Sequence, residues 1–450
     1  MKRTRLDLSK KSAEQIRQIY LKYRLQALIG LMICYSAFYV VRNNFSLSTP
    51  YLKDSLHLTN ANIGFLISCL TISYGLSKTI MSSLADKYNP KYFMSLGLGL
   101  CILINIFLGF ANHYSVFVIL VFLLGCVQAM GVAPCHITLA KWFPSSSRGV
   151  YTSIWNTSHN IGGGIASPIV GFGVAVFTLA NWKAGTYWFP AAVALAALLV
   201  FFFFLGKGSP QNEGLPPVSQ ILEEESVQAK TVDVSAPEKR SASYIFIHYV
   251  LKNKDAWYIA LVDTFVYTIR YGMISWIPIY LLEVKGFTKE EMVVAFLFFE
   301  WAAIPSTIIA GWLTDKVFHK YRMPPVIISM LVIFFAAFGY FYSDSLIVTT
   351  VFAAIIGCLI YIPQCLTSVQ AMDLIPSFAI GSCVSLRGFM SYIVGATLGT
   401  ALIGVMVEKT GWFGGLAVIL SATVLCFLFS ILSHLSARKK RQQSEVPPAR

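Results

Sequence analysis

The stretch Tyr39-Val40-Val41-Arg42-Asn43-Asn44-Phe45 puts a guanidinium inside an apolar run that extends from about Leu25 to Ser48. A run of that length is enough to cross a bilayer. An arginine there costs roughly 2.5–3.5 kcal/mol at a helix centre, so it faces a bundle interior or a water-filled cavity. The pattern returns as Tyr267-Thr268-Ile269-Arg270 in another apolar run, 228 residues later. Tyr-x-x-Arg at the same depth of two spans predicts two half-molecules, each bringing one arginine to a shared anion-binding centre.

Composition supports a membrane chain. Of 450 residues, 56% are hydrophobic and only 12% charged, whereas soluble domains average about 25% charged. The polar, basic amino-terminal 24 residues lead into a full-length apolar run without a cleavage site, so a retained helix is expected rather than a signal peptide. The net charge of +14 raises nucleic acid as a partner, but its distribution argues against that. With twelve spans and both termini on one side, 26 of the 35 Lys and Arg fall on that side, 5 on the other and 4 within spans. This is the positive-inside pattern, which makes the basic side cytoplasmic. All nine cysteines lie in or beside apolar spans and none forms a C-x-x-C pair; they read as small core residues.

In chain order the expected spans are 25–48, 62–84, 92–111, 115–139, 150–177 and 185–205, then 256–282, 291–313, 324–342, 345–370, 379–407 and 411–434. Between the two sets lies a polar segment with Gly-Ser-Pro, Gly-Leu-Pro-Pro and Glu223-Glu224-Glu225. Such a composition cannot bury a core, so it reads as a connector, with a short interfacial helix expected over Tyr244–Leu251. The expected organisation is residues 1–205 as an amino-terminal six-helix half, 206–254 as a cytoplasmic linker and 255–450 as a carboxy-terminal six-helix half. Arg438-Lys439-Lys440-Arg441 reads as a topology anchor near anionic lipid.

A second register mark accompanies the arginines. Ser83-Leu84-Ala85-Asp86-Lys87, with Lys91 beyond, closes span two; Trp312-Leu313-Thr314-Asp315-Lys316, with Lys320 and Arg322 beyond, closes span eight. The aspartates are 229 apart, one residue off the arginine offset. Two parallel six-span repeats joined by a cytoplasmic linker resemble the plan of the major facilitator superfamily. The fold class expected is therefore an all-α membrane protein of twelve transmembrane helices, in two pseudo-symmetric six-helix halves. By the same resemblance Asp86, Lys87, Asp315 and Lys316 match that superfamily's loop motif, and read as gating charges rather than substrate ligands.

Away from the boundaries, the ionisable residues within spans are Arg42, Lys78, His159, Asp263, Arg270, Glu300 and Arg387. Four cations against two anions favour an anionic ligand. Two guanidinium forks could hold one phosphoryl group from opposite sides; the alternative is that each arginine pairs structurally with a carboxylate or helix end. Lys78 lies in Tyr74-Gly75-Leu76-Ser77-Lys78-Thr79, which lacks the glycine a phosphate loop needs before its lysine. It reads either as a cation near the phosphate or as a partner for a buried carboxylate. His159, in Trp155-Asn156-Thr157-Ser158-His159-Asn160, can donate to phosphate or satisfy a neighbouring helix. Gly162-Gly163-Gly164 after it reads as a close helix contact. Adding the repeat offset to 159 gives Arg387, either a ligand or a partner for Glu300 or Asp263. Tyr35, Tyr39, Tyr267 and Tyr392 lie on or beside these helices and could donate to phosphate oxygens or simply pack.

Taken together, Tyr-x-x-Arg-x-Asn-Phe in span one, Tyr-Gly-x-Ser-Lys in span two, Trp-Asn-x-x-His-Asn-x-Gly-Gly in span five and Tyr-x-x-Arg-Tyr-Gly in span seven resemble the organophosphate:phosphate antiporters. Many of that family have lysine where this chain has Asn43. The wording Val-Arg-Asn-Asn-Phe-Ser-Leu-Ser-Thr-Pro-Tyr-Leu-Lys looks most like the phosphoglycerate carriers, as do Phe-Phe-Glu-Trp-Ala-Ala-Ile-Pro-Ser-Thr and Leu-Arg-Gly-Phe-Met-Ser-Tyr-Ile. The resemblance implies that Arg42 and Arg270 clamp phosphate with Lys78 and His159 in support. The activity it implies is exchange of phosphoglycerates or phosphoenolpyruvate for inorganic phosphate across a bacterial inner membrane. Rival readings are a carrier of glycerol 3-phosphate or hexose phosphate, and a transporter-like sugar-phosphate sensor acting with a membrane kinase. No nucleotide loop, metal-ligand spacing or nucleophile motif is present, so neither an enzyme nor a cofactor is expected. The expected partners are small phosphorylated acids, phosphate and the lipid bilayer, with the carrier acting as a monomer and both termini cytoplasmic.

Overall fold

The structure is a computed structural model that describes residues 12–85, 87–221, 242–318, 321–375 and 379–445. Every regular element among those residues is helical. In chain order the long helices are α1 (Ala13–Leu56), α2 (Asn60–Ala85), α3 (Pro90–Phe110), α4 (Tyr114–Trp142), α5 (Val150–Phe177) and α6 (Ala184–Leu205). They continue with α7 (Lys254–Glu283), α8 (289–316), α9 (Met323–Tyr342), α10 (Leu346–Leu374), α11 (Ser382–Thr410) and α12 (Trp412–Glu445). Among the described residues ten of these are long and apolar enough to cross a membrane; α2 and α8 occupy the places of spans two and eight. Large apolar side chains such as Phe204, Phe335, Ile347 and Phe413 are exposed, as expected of faces whose solvent is lipid.

Three of the long helices are interrupted. α4 breaks at 129–131 beside Gly131, α5 at Thr157 and α8 at Ala302. α11 contains two π segments, Met390–Gly395 and Leu398–Leu402, an uncommon geometry that concentrates at functional sites.

α1 runs farther than its apolar stretch suggests. The hydrophobic run stops near Ser48, yet the helix continues through Pro50 to Leu56. Asn43, Asn44, Ser46, Ser48 and Thr49 end the apolar pattern but are all buried in protein rather than facing lipid. Asn44 shows why this is tolerated: its amide donates to Asn105 Oδ1 at 2.7 Å and to Thr186 O at 2.9 Å. Polar groups inside a membrane bundle act as interhelical ties when satisfied in this way.

The chain forms two compact units. The first comprises Met1–Phe45, Leu76–Ala111 and Phe122–Ala236. Here α1 is held by hydrogen bonds to its backbone: Gln128 Nε2 donates to Phe38 O at 2.9 Å and Asn105 Nδ2 to Val41 O at 2.9 Å. α5 meets α1 at Gly162, where any Cβ would run into the Ser36 backbone. Ser36 Oγ then donates to Ser158 O at 2.8 Å. The glycine contact expected from Gly162 is therefore a packing contact. The connector docks on this unit at its start through Trp142 Nε1, which donates to Lys207 O at 2.9 Å, and a Lys207–Glu213 ion pair of 2.8 Å braces the connector internally.

The second unit comprises Ser46–Gly75, Asn112–Val121 and Pro237–Arg450. Its centre is α7, with 89% of its most apolar window buried. α11 lies directly on it: a Cβ on Gly395 or Gly399 would strike the backbone of Thr264 or Thr268, and Thr268 Oγ1 donates to Gly395 O at 3.0 Å. The segment Ala242–Leu251 is helical, as expected of Tyr244–Leu251, and buries Val250 against Ala256, Ile259, Ala371 and Ile375. Glu223, Glu224 and Glu225 lie outside the described residues. Of the nine cysteines, all are free and five are buried.

Candidate functional site

In the first unit α1 and α5 assemble one group of expected residues. Arg42 is 6% exposed, and its Cζ lies 5.7 Å from the Tyr39 ring. The same ring is 5.6 Å from His159 and 5.5 Å from Tyr35. Tyr35 continues the chain of rings to Trp155 at 4.8 Å, and Trp155 meets His136 at 4.9 Å. The i, i+4 and i+7 spacing of Tyr35, Tyr39 and Arg42 explains the alignment, since these positions share one face of a helix. A guanidinium over a phenol face gains cation–π attraction. Lys78 is carried by α2 and is half-buried.

In the second unit Arg270, 3% exposed, is held from α10. Its Nη1 donates to Gln364 Oε1 at 3.0 Å, and its Cζ sits 4.5 Å from the Tyr361 ring. Tyr361 is fixed in turn by its hydroxyl, which donates to Glu300 Oε2 at 3.3 Å. Tyr267 meets Tyr392 edge-on at 5.0 Å, and Tyr392 also contacts Tyr74 at 4.9 Å and Tyr271 at 6.2 Å. The two expected tyrosines of this unit thus meet each other, while Arg270 meets Gln364 and Tyr361 of α10 and the ring of Tyr271 on its own helix.

Arg387 has a different environment. Its Nε donates to Asp263 Oδ2 at 2.6 Å, and its Nη2 to Thr367 Oγ1 at 2.9 Å and Ser368 Oγ at 3.1 Å. Asp263 lies one turn before Tyr267 on α7, so this ion pair ties α7, α10 and α11 together. Sequence spacing left the partner of Arg387 open between Asp263, Glu300 and a ligand; the geometry assigns Asp263.

Of the gating charges, Asp86 lies outside the described residues, and so do the side chains of Asp315 and Lys316 at the end of α8. Lys87 is exposed in the turn that follows α2. Beside the α8 end, Arg322 Nη1 donates to Thr314 Oγ1 at 2.9 Å.

Sequence reasoning missed Gln364, Tyr361, Tyr74, Thr367 and Ser368. A signal existed for the first two. Tyr361-Ile362-Pro363-Gln364 places a proline and an amide inside an apolar span, where buried polar groups mark function by default.

The Major Facilitator Superfamily model matches residues 31–397. The chain is 54% identical over 433 residues to a phosphoglycerate transporter protein of Salmonella typhimurium, covering 96% of this chain and 93% of that one. It is 26% identical to the hexose-6-phosphate:phosphate antiporter of Escherichia coli, over 96% and 94% of the two chains. Among solved structures, a bacterial homologue of the human lysosomal transporter Spinster, inward-facing and unoccupied, superposes with a TM-score of 0.70 at 16% identity, covering 95% of this chain and 99% of that one. The chain belongs to the major facilitator superfamily and, within it, to the organophosphate:phosphate antiporter family. It is a multi-pass membrane protein.

Proposed function

We propose that the protein is a secondary antiporter of a bacterial inner membrane, exchanging phosphoglycerates or phosphoenolpyruvate for inorganic phosphate. The observation that carries this reading is the pair of repeat-related arginines, Arg42 and Arg270. Each is buried in its own unit, and each lies against a tyrosine ring. High identity to a relative named a phosphoglycerate transporter supports the substrate class.

The chemistry favours exchange over one-way transport. Two guanidinium groups drawn towards each other without an anion repel and lose hydration, so an empty carrier resists closing. Phosphate between them removes that barrier and lets the loaded carrier turn over in either direction. In this reading residues 1–205 and 255–450 are the two halves that alternate, with 206–254 and both termini cytoplasmic. Lys78 and His159 strengthen the phosphate site, and Tyr35, Tyr39, Tyr267 and Tyr392 donate hydroxyls or shape its walls. Asp86, Lys87, Asp315 and Lys316 serve the cytoplasmic gate. A carboxylate-bearing substrate calls for one further cation, and Arg387 is the candidate in the second half. Its pairing with Asp263 means that a substrate carboxylate joins, or competes with, a bond already made.

Counterflow in proteoliposomes tests the assignment. Vesicles loaded with phosphate should accumulate labelled phosphate, and external 3-phosphoglycerate or phosphoenolpyruvate should compete for it far better than glycerol 3-phosphate or glucose 6-phosphate. Preferential competition by either of the latter two would replace the substrate class.

A further inference from the structure

His136 belongs to the first unit and has no part in the phosphate clamp described above. It lies on α4, which passes directly against α1. A Cβ on Gly131 would sit 3.4 Å from Tyr35 Cε2, and Gln128 Nε2 donates to Phe38 O at 2.9 Å. Five residues after Gly131, the His136 ring stands edge-on to Trp155 at 4.9 Å, with 71° between the planes. Trp155 packs in turn on Tyr35, and both are buried, whereas His136 is exposed. An ionisable side chain within a span faces the bundle interior or a water-filled cavity rather than lipid. The exposed ring therefore meets the aqueous interior, at the rim of the ring series that leads through Tyr35 and Tyr39 to Arg42. It is also near enough to Lys78 to feel that charge.

The hydrogen-bonding character of the ring is set by its own helix. His136 Nδ1 lies 3.3 Å from Val132 O, one turn back. A carbonyl only accepts, so Nδ1 is the nitrogen that carries hydrogen, and in the neutral imidazole Nε2 is left as an acceptor. Arg42 and Lys78 are donors only. They suit phosphate and carboxylate oxygens but cannot receive the proton of an alcohol. An alcohol brought into a site without an acceptor for that proton loses a bond it had in water.

We propose that His136 Nε2 accepts a hydrogen bond from the alcohol hydroxyl of the transported ligand, and so favours hydroxylated phosphate esters over those without a hydroxyl. The proposal rests on the transport reading above and narrows its substrate class. With the phosphate at Arg42 and Lys78, the organic part of the ligand lies along Tyr35 and Trp155 towards His136. 3-Phosphoglycerate and 2-phosphoglycerate carry such a hydroxyl, and phosphoenolpyruvate has none.

Competition in proteoliposomes loaded with phosphate tests this on the full-length protein. The quantity read is the external concentration of 3-phosphoglycerate, glycerol 3-phosphate or phosphoenolpyruvate that halves uptake of labelled phosphate. His136→Phe keeps an aromatic ring against Trp155 and removes Nε2. It should raise that concentration roughly three- to ten-fold for the two hydroxylated compounds, the scale of one hydrogen bond, and less than about two-fold for phosphoenolpyruvate. His136→Gln, whose amide oxygen can accept, should recover part of the loss. His136→Leu repeats the comparison if thermal melting shows that phenylalanine does not pack. Equal losses for all three competitors would overturn the proposal, making His136 a ligand of phosphate or carboxylate, or a purely structural ring. No loss for any of them would overturn it too, by placing His136 outside the site. If the parent protein prefers glycerol 3-phosphate, the phosphoglycerate reading falls, while a loss confined to hydroxylated ligands in His136→Phe still upholds the acceptor.

Discussion

Arg387 and Asp263 form a buried ion pair in which Nε reaches Oδ2 at 2.6 Å, with Thr367 and Ser368 taking the second prong of the guanidinium. The pair joins α7 to α11 one turn from Tyr267. Its two partners have unequal alternatives. Without Arg387, Asp263 is left as a buried charge with its cation gone; without Asp263, Arg387 regains a prong that could bind an anionic ligand.

The first prediction uses that asymmetry. Arg387→Gln alone should lower expression and thermal stability, because stranding one member of a buried pair costs about 3–5 kcal/mol. Arg387→Gln with Asp263→Asn removes both charges and should recover most of that stability. If Arg387 also binds the substrate carboxylate, the double variant should still weaken 3-phosphoglycerate by roughly 1.5–3 kcal/mol, the range for a hydrogen bond to a charged group. Phosphate self-exchange should change much less. Equal losses for the two substrates would make Arg387 purely structural.

Arg42→Lys and Arg270→Lys should each abolish phosphate exchange and leave a folded protein. Lysine keeps the charge but presents one point of donation instead of a planar fork. Size-exclusion profiles and thermal melts would report folding, and proteoliposome exchange the function. Near-normal exchange in either variant would remove that arginine from the phosphate clamp.

Much of the plan was legible because membrane chains write their topology in composition. Apolar runs marked the spans, and two motifs offset by 228 and 229 residues marked the repeat. The end of α1 was misjudged because Asn43, Asn44, Ser46 and Ser48 read as the close of an apolar run. They are buried against protein, where Asn105 and the Thr186 carbonyl satisfy Asn44. The partner of Arg387 was illegible for a related reason. Asp263 is 124 residues away, and the pairing follows from how closely α11 lies on α7 through Gly395 and Gly399, which no local pattern announces.

Gly162→Val should destabilise the first unit strongly. The Ser36 backbone occupies the space a side chain would need, and over-packing of this sort costs typically 1–3 kcal/mol or more. Gly388, where a Cβ meets nothing within 4 Å, supplies the control: Gly388→Ala should leave the melting temperature nearly unchanged. A Gly162→Val protein as stable as the parent would mean that α1 and α5 can separate at no cost.

Topology follows from the charge asymmetry. Reporter fusions within 206–254 and after residue 441 should both behave as cytoplasmic. Fusions in the 283–289 connection should behave as external. A cytoplasmic signal there would reverse the orientation assigned from the charge asymmetry.

The last prediction concerns Gln364, which accepts from Arg270 Nη1 at 3.0 Å. Gln364 lies three residues after Tyr361, so the two share a face of α10. One therefore receives a guanidinium N–H while the other supplies a ring 4.5 Å from Cζ. Gln364 is thus a positioning residue acting through Arg270, and its loss should differ from loss of Arg270 itself. Gln364→Met keeps the volume but removes the acceptor; it should lower phosphate exchange by roughly ten-fold, the scale of a hydrogen bond to a charged group, about 1.5 kcal/mol. Gln364→Glu keeps an acceptor at that position but adds a negative charge beside the arginine. It should restore the orientation yet raise KM for phosphate more than it lowers the maximal rate, because a fixed carboxylate competes with the substrate for the same cation. A merely structural glutamine would instead give both variants the same KM as the parent protein, with any loss appearing as reduced stability.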